Sequence, residues 1–323
     1  MRTVSGTGNW ILTIEEKGDE ITVLRALTCD ADAELPETVF GKSITRLSNS
    51  ALAVKDFDPE GEKVRITCGK PDGEFDNRSL GRLTLPATLK SCGNYTFAGC
   101  RKLETLRVTD SIEVIGAGSF MNCMSLELLE VKRQGEVQGT VVYEFVSEFS
   151  RELEVRITGE NGAESRFIFP EYFEVRTENE PTHFFTYTIE GAGYPYHNCF
   201  SKKRFFPGEY DRLWERYISS GCEEKTAVRL AWLRVRYPDE LSDEARGDYL
   251  GYLGAHSAEL LRLIIEERDA RGLRIALESC RADQASLEAA RGKAADAKFT
   301  EATVILLEKQ HELFPGKSRN NEL

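Results

Sequence analysis

Apolar residues recur every 23 positions between Leu80 and Val131. Leu80, Leu103 and Leu126 share one register, Leu83, Leu106 and Leu129 a second, and Leu85, Val108 and Val131 a third. The match continues through Leu89 and Ile112, Cys92 and Ile115, Gly93 and Gly116, Phe97 and Phe120, and Cys100 and Cys123. A fixed interval of this length marks a solenoid, in which each coil buries its apolar side against the next. Each repeat reads as a short strand (83–85, 106–108, 129–131), then a turn, then a second apolar ledge. Alternation along the first strand turns Leu83 and Leu85 inward. The outward residues on successive coils are Arg82 and Thr84, Thr105 and Arg107, then Leu128 and Glu130. Phe97 and Phe120 stack inside, and Cys100 and Cys123 stack where the chain turns back.

The stretches LTLPATLKSCGNYTFAGCRKLETL and LRVTDSIEVIGAGSFMNCMSLELL closely resemble the BspA-type leucine-rich repeat family. That family's pattern is a Val/Ile-x-x-Ile-Gly ledge followed by Ala-Phe-x-x-Cys-x-x-Leu. Ile112, Ile115, Gly116, Phe120, Cys123 and Leu126 match it position by position. Leu35-Pro36 to Gly41-Lys42, then Ile44, Leu47, Ala51 and Leu52, look like an earlier, degenerate copy, so the resemblance spans about 4–132. It implies a bacterial repeat protein; many members are surface-exposed, and some are thought to act as adhesins.

An N-terminal hairpin of 10–14 with 21–27, turning at Lys17-Gly18-Asp19, caps the coils. Between Asp56 and Ser79 the repeat breaks into a polar insertion rich in Gly, Asp and Glu, read as an extended loop. From Gln134 to Phe206 β-branched and aromatic residues dominate, giving strands at 141–145, 153–158, 166–169, 173–177 and 184–189. Asn161-Gly162 signals a hairpin, and the resulting small antiparallel sheet caps the solenoid's open end. After Pro207 the pattern turns helical, at 208–219, 223–237, 242–255, 257–267, 270–278, 284–295 and 299–314. Ser242 and Asp283 stand as N-caps, and short connections imply antiparallel neighbours. Ala302, Ile305, Leu306 and Leu313 share one side of the last helix, which looks like part of a degenerate ankyrin-type hairpin. The expected fold class is α+β: a short leucine-rich repeat β-solenoid with its hairpin cap (1–133), an antiparallel β connector (134–206) and an ankyrin-like α-helical repeat array (207–323).

A length of 323 residues suits two or three domains, and 41% hydrophobic with 30% charged content suits an ordinary soluble protein. The formal net charge of −12 argues against nucleic acid or anionic membrane as main partners. Only residues 80–134 sum to a positive charge, +2. No apolar stretch approaches membrane-spanning length, and Met1 to Trp10 lacks a secretory pattern. Eight cysteines without CxxC pairs then read as reduced thiols in a cytoplasm. A removed leader would instead place the protein at the cell surface.

Candidate chemistry is thin. His197 and Cys199 would share one side of a strand, but a structural zinc needs four ligands. Cys222 and His183 lie at no recognised spacing to them, so no metal site is expected. Cys100 and Cys123 on adjacent coils would sit about 5 Å apart, close enough for a disulfide. The family resemblance makes this slot a small buried thiol, and Cys packs well as one. Neither His256 nor His311 has a local partner signature, and neither Gly116-Ala117-Gly118 nor Gly191-Ala192-Gly193 is a phosphate loop. No catalytic residue and no cofactor is expected.

The aromatic run from Phe184 to Trp214 reads as a core joining the sheet to the first helices. The sharper alternative is a small peptide pocket at Tyr194 and Tyr196, rimmed by Lys202, Lys203 and Arg204. The function expected is non-catalytic protein–protein recognition, with a protein or peptide partner and no nucleic acid or membrane insertion. Its contacts would be Arg82, Thr84, Thr105, Arg107, Leu128 and Glu130. A surface adhesin binding host or bacterial proteins is the alternative.

Overall fold

Short apolar segments set at a constant interval pair side by side, because each buries its leucines only by lying against the next. The computed structural model describes residues 2–135, 140–179 and 184–314. Its chain divides into two compact units between Leu213 and Trp214. The first stretch forms β1 (Arg2–Ser5), β2 (Trp10–Lys17), β3 (Glu20–Thr28), β4 (Asp32–Glu34), β5 (Thr38–Val39) and β6 (Lys42–Leu47). There follow β7 (Glu62–Thr67), β8 (Arg82–Thr84), β9 (Ser91–Cys92), β10 (Thr105–Thr109), β11 (Val114–Ile115) and β12 (Leu128–Lys132). Leu83, Leu106 and Leu129 stand in register on parallel β8, β10 and β12. The ledges build a second wall, with Leu47, Cys92 and Ile115 in register on β6, β9 and β11. Between the walls Leu83, Phe97, Leu103, Leu106 and Leu129 are 0% exposed, and the Phe97 and Phe120 rings stack at 5.5 Å.

The ledge glycines answer to close backbone approach. A Cβ on Gly116 would lie 2.4 Å from the Asn94 amide nitrogen, and one on Gly93 would lie 2.5 Å from that of Asn49. At the same turn the Asn94 N–H donates to Asn49 Oδ1 (2.8 Å) and the Ala117 N–H to Asn94 Oδ1 (3.0 Å). All eight cysteines are free thiols. Cys123 donates to the Phe97 carbonyl at 3.1 Å and Cys100 to that of Leu52 at 3.4 Å, each reaching back one coil. Asn77 fills that slot one coil earlier and is fully buried. Its Nδ2 donates to Ala26 O (2.9 Å) and Leu52 O (2.8 Å), while its Oδ1 accepts from the Thr28 N–H (2.8 Å).

The β2–β3 hairpin pairs as its alternation predicts. The insertion at 56–79 is not wholly a loop: β7 runs parallel to β1 and antiparallel to β2. Its buried Val64 and Ile66 pair with Leu12 and Trp10, which supplies the burial that two isolated apolar residues cannot find alone.

After the last coil come α1 (Val141–Ser147), β13 (Leu153–Thr158), β14 (Glu164–Phe169), β15 (Phe173–Asn179) and β16 (Phe184–Glu190). A 3-10 turn at Tyr194–Cys199, then β17 (Phe200–Ser201), β18 (Arg204–Phe205) and α2 (Pro207–Asp211) complete the unit. The strand expected at 141–145 is therefore helical. Val141-Val142 favours a strand locally, but the ledge wall ends at β11 with donors needing partners. Helix α1 supplies them: Glu144 Oε2 accepts from the Ile115 N–H (3.3 Å) and Glu148 Oε2 from the Gly118 N–H (2.8 Å). Phe145 adds its ring 4.9 Å from Phe120. The other wall continues, because β13 runs parallel to β12 and β14 folds back antiparallel through the Asn161-Gly162 turn. Its strand order is β14-β13-β12-β10-β8-β4.

The second unit is helical: α3 (Trp214–Ser219), α4 (Glu224–Arg236), α5 (Asp243–Ala255), α6 (Ser257–Glu266), α7 (Ala270–Ser279), α8 (Gln284–Asp296) and α9 (Thr300–Leu313). The single helix expected at 208–219 is thus interrupted at Arg212–Leu213. Ser242 Oγ caps α5 by accepting from the Ala245 N–H (3.2 Å), and Asp283 Oδ1 caps α8 by accepting from the Ser286 N–H (2.6 Å). Helix α6 packs on α8 and α7 on α9, a layering of helix pairs that buries Leu260, Ile264, Leu287 and Leu306.

Candidate interaction surface

Period-two alternation on parallel strands lines up equivalent side chains across the sheet. One outward row runs Glu34, Thr84, Arg107, Glu130, Arg156 and Arg166 from β4 to β14. Its neighbour runs Asp32, Arg82, Thr105, Leu128 and Glu154 and ends at Ile168, which is fully buried. Charges on the two rows knit together. Glu130 receives Arg107 Nε and Arg156 Nη1, each at 2.7 Å. Asp32 lies 3.6 Å from Arg82 and 3.7 Å from Arg107, and Glu164 lies 3.1 Å from Arg156 and 2.6 Å from Arg166. The network therefore joins residues from six strands.

A groove of about 340 Å³ opens on this face. Arg107, Glu130 and Arg156 form one side, and Thr109, Lys132 and Thr158 stand two residues further along the same strands. Of the expected contacts, Arg82 is exposed, and Thr84, Arg107 and Glu130 are half-buried on the same face. Thr105 is only 8% exposed, because longer Arg82 and Leu128 flank it in register. Leu128 is itself half-buried. Arg156 and Thr158 escaped the repeat pattern, and Lys132, in register with Thr109, was not singled out. The coil carrying Arg156 comes 26 residues after Glu130, since α1 replaces the usual ledge, and this breaks the interval of 23. The alternation in Leu153–Thr158 was the signal that could have found it.

The alternative aromatic pocket beside Lys202, Lys203 and Arg204 is not assembled. Tyr194 is exposed, with its ring 5.4 Å from Tyr172, whereas Tyr196 is 1% exposed and its ring lies 4.7 Å from Tyr210. Apolar contact on the inner side outweighs the exposure a pocket would need. Phe167, Phe169 and Phe205 pack round Tyr210, on which Tyr196 rests, and the Tyr210 hydroxyl donates to Ile168 O at 2.5 Å. Lys202 and Lys203 have left-handed backbone (φ 48° and 63°) at the β17–β18 turn. Lys203 Nζ pairs with Glu144 Oε1 at 2.7 Å, and this bond raises the lysine's pKa.

Thiol chemistry is suppressed by burial. Desolvation pushes Cys92 and Cys123 up to about 12 and raises Cys100 and Cys199 further, so none is a thiolate near neutral pH. The Cys199 thiol donates to Tyr196 O at 2.7 Å. His256 stacks on Tyr252 with ring centres 3.9 Å apart. His183 and the side chain of His197 lie outside the described residues. Among the described residues no group of three or more His, Cys, Asp or Glu is placed to hold a metal ion, and no helix is long and apolar enough to cross a membrane.

A leucine-rich repeat protein of T. pallidum is 20% identical, with a TM-score of 0.29 over 38% of this chain and 51% of that one. This chain therefore spans about half the length of that protein. A leucine-rich cell surface protein from Faecalibacterium prausnitzii A2-165 is 13% identical, with a TM-score of 0.26 over 44% of this chain and 34% of that one. The pneumococcal vaccine antigen PcpA is 14% identical, with a TM-score of 0.20 over 41% and 44%. No curated protein is significantly similar to this chain. Residues 71–151 match the BspA-type leucine-rich repeat region, in 6 copies, and the match stops short of the helical unit.

Proposed function

We propose that this chain is a non-catalytic protein-recognition scaffold whose contact surface is the solvent face of the six-stranded sheet. One observation carries the reading. Thr84, Arg107, Glu130 and Arg156 stand in register on four adjacent parallel strands and line a single groove. Rigid strands present such a row in fixed geometry, which suits specific contacts with an extended protein segment. The helical unit, with its layered helix pairs, is read as a second interaction module of ankyrin-like kind.

A photo-crosslinking residue placed at Thr158, inside the groove, tests this in the native cell. It should give discrete protein adducts that the same residue at exposed Lys17 does not. Reversing charge at both Arg107 and Glu130 should remove those adducts. Identical adducts from both positions, or adducts indifferent to the reversal, would remove this face from consideration.

A further inference from the structure

We infer that the groove receives an extended, carboxylate-rich protein segment, and that Glu130 occupies the anion cradle while the groove is empty. The inference rests on the sheet face being the recognition surface. Its lining holds three cations, Arg107, Lys132 and Arg156, against the single carboxylate of Glu130, while Asp32, Glu154 and Glu164 reach the two arginines from outside the lining and leave Lys132 as the cation without an acid among the described residues. The chain as a whole carries a formal net charge of −12. A local excess of positive charge on an acidic protein selects and steers acidic partners.

Glu130 shows how a partner's acid would be held. Its carboxylate lies between two guanidinium groups, 2.7 Å from Arg107 Nε and 2.7 Å from Arg156 Nη1. Arginines receive any suitably placed carboxylate through such charge-assisted bonds, so the chain's own glutamate competes with a visitor. Lys132 lies two residues further along β12, on the same side as Glu130. It is exposed and, among the described residues, makes no ion pair. It therefore offers a first contact for an incoming acid, and Thr158, its register partner on β13, offers a hydroxyl beside it. Displacing Glu130 then frees the Nε of Arg107 and the Nη1 of Arg156 for the partner, while Asp32 stays paired with Arg107 and Glu154 and Glu164 with Arg156.

Labelled octapeptides test the idea on the full chain: alternating glutamate–threonine, glutamine–threonine and lysine–threonine, followed by fluorescence anisotropy. Only the glutamate peptide should bind. Glu130→Gln should tighten binding by about tenfold, the worth of one charge-assisted bond no longer contested, and Lys132→Glu should weaken it by a similar factor. Lys17→Glu, the same charge change at the exposed end of β2, should leave binding unaltered. Unchanged thermal unfolding of each variant excludes misfolding as the cause. Equal binding of the glutamine peptide, no gain with Glu130→Gln, or equal binding of a single-stranded oligonucleotide would overturn the inference. If no peptide binds while Thr158 still crosslinks a protein, the acidic preference fails and the scaffold reading stands. Loss of both results ends both.

Discussion

Gly116 lies so close to Asn94 that a Cβ on the glycine would stand 2.4 Å from the asparagine's amide nitrogen. Neighbouring coils touch backbone to backbone there, and the obstacle cannot swing aside. Gly116→Ala should therefore destabilise the protein by about 3 kcal/mol, the upper end of overpacking penalties. Gly247→Ala is the contrast: Gly247 is exposed within α5 with nothing within 4 Å of the added methyl. Relieving a helical glycine should gain up to about 1 kcal/mol. Urea unfolding of both variants checks the pair, and a neutral Gly116→Ala would contradict the backbone contact.

The two tyrosines at 194 and 196 should part company. Tyr196 is 1% exposed and rests on Tyr210, so Tyr196→Ala should cost about 3–5 kcal/mol, as for other buried aromatics. Tyr194 is exposed, and its replacement should stay within about 0.5 kcal/mol. Thermal unfolding read by near-UV circular dichroism measures both; similar losses would mean that both rings serve the core.

Alkaline pH should loosen the solenoid before acid does anything comparable to its thiols. Burial raises Cys92 and Cys123 from 9.0 to about 12, so the folded state keeps protons that the unfolded chain releases sooner. Stability from these groups is fully present below pH 9.0 and is lost as the pH climbs toward about 12. Melting temperature should fall through that window, and Cys123→Ala should flatten the fall. A variant with the same slope as the parent would show that the alkaline loss has another origin.

The charge ladder should matter to partners far more than to folding. Arg107 and Glu130 keep side-chain exposures of 41% and 25%, and such pairs contribute at most about 1 kcal/mol. Arg107→Ala should therefore barely shift chemical denaturation. Leu106→Ala, one residue away and fully buried, should cost about 3 kcal/mol or more. Comparable losses at the two positions would mean that the ladder is structural rather than a surface for recognition.

The sequence by itself determined the stacked coils. An interval of 23 with leucine, glycine, phenylalanine and cysteine kept in place leaves one economical way to bury them, so Leu83, Leu106 and Leu129 had to lie side by side. Helix caps at Ser242 and Asp283 and the Asn161-Gly162 turn were equally local, since each is satisfied by residues a few positions away. Tertiary structure decided what depended on distant neighbours. Val141-Val142 became helical because the ledge wall needed acceptors for Ile115 and Gly118, groups some thirty residues upstream. Val64 and Ile66 became a strand because Trp10 and Leu12 offered an edge. Arg156 joined the outward row only because β13 chose β12 as its neighbour, across a spacing that the repeat does not contain. Periodicity records the partners a coil meets at a constant interval; an end cap or an inserted strand meets its partner once, and a single meeting leaves no period to read.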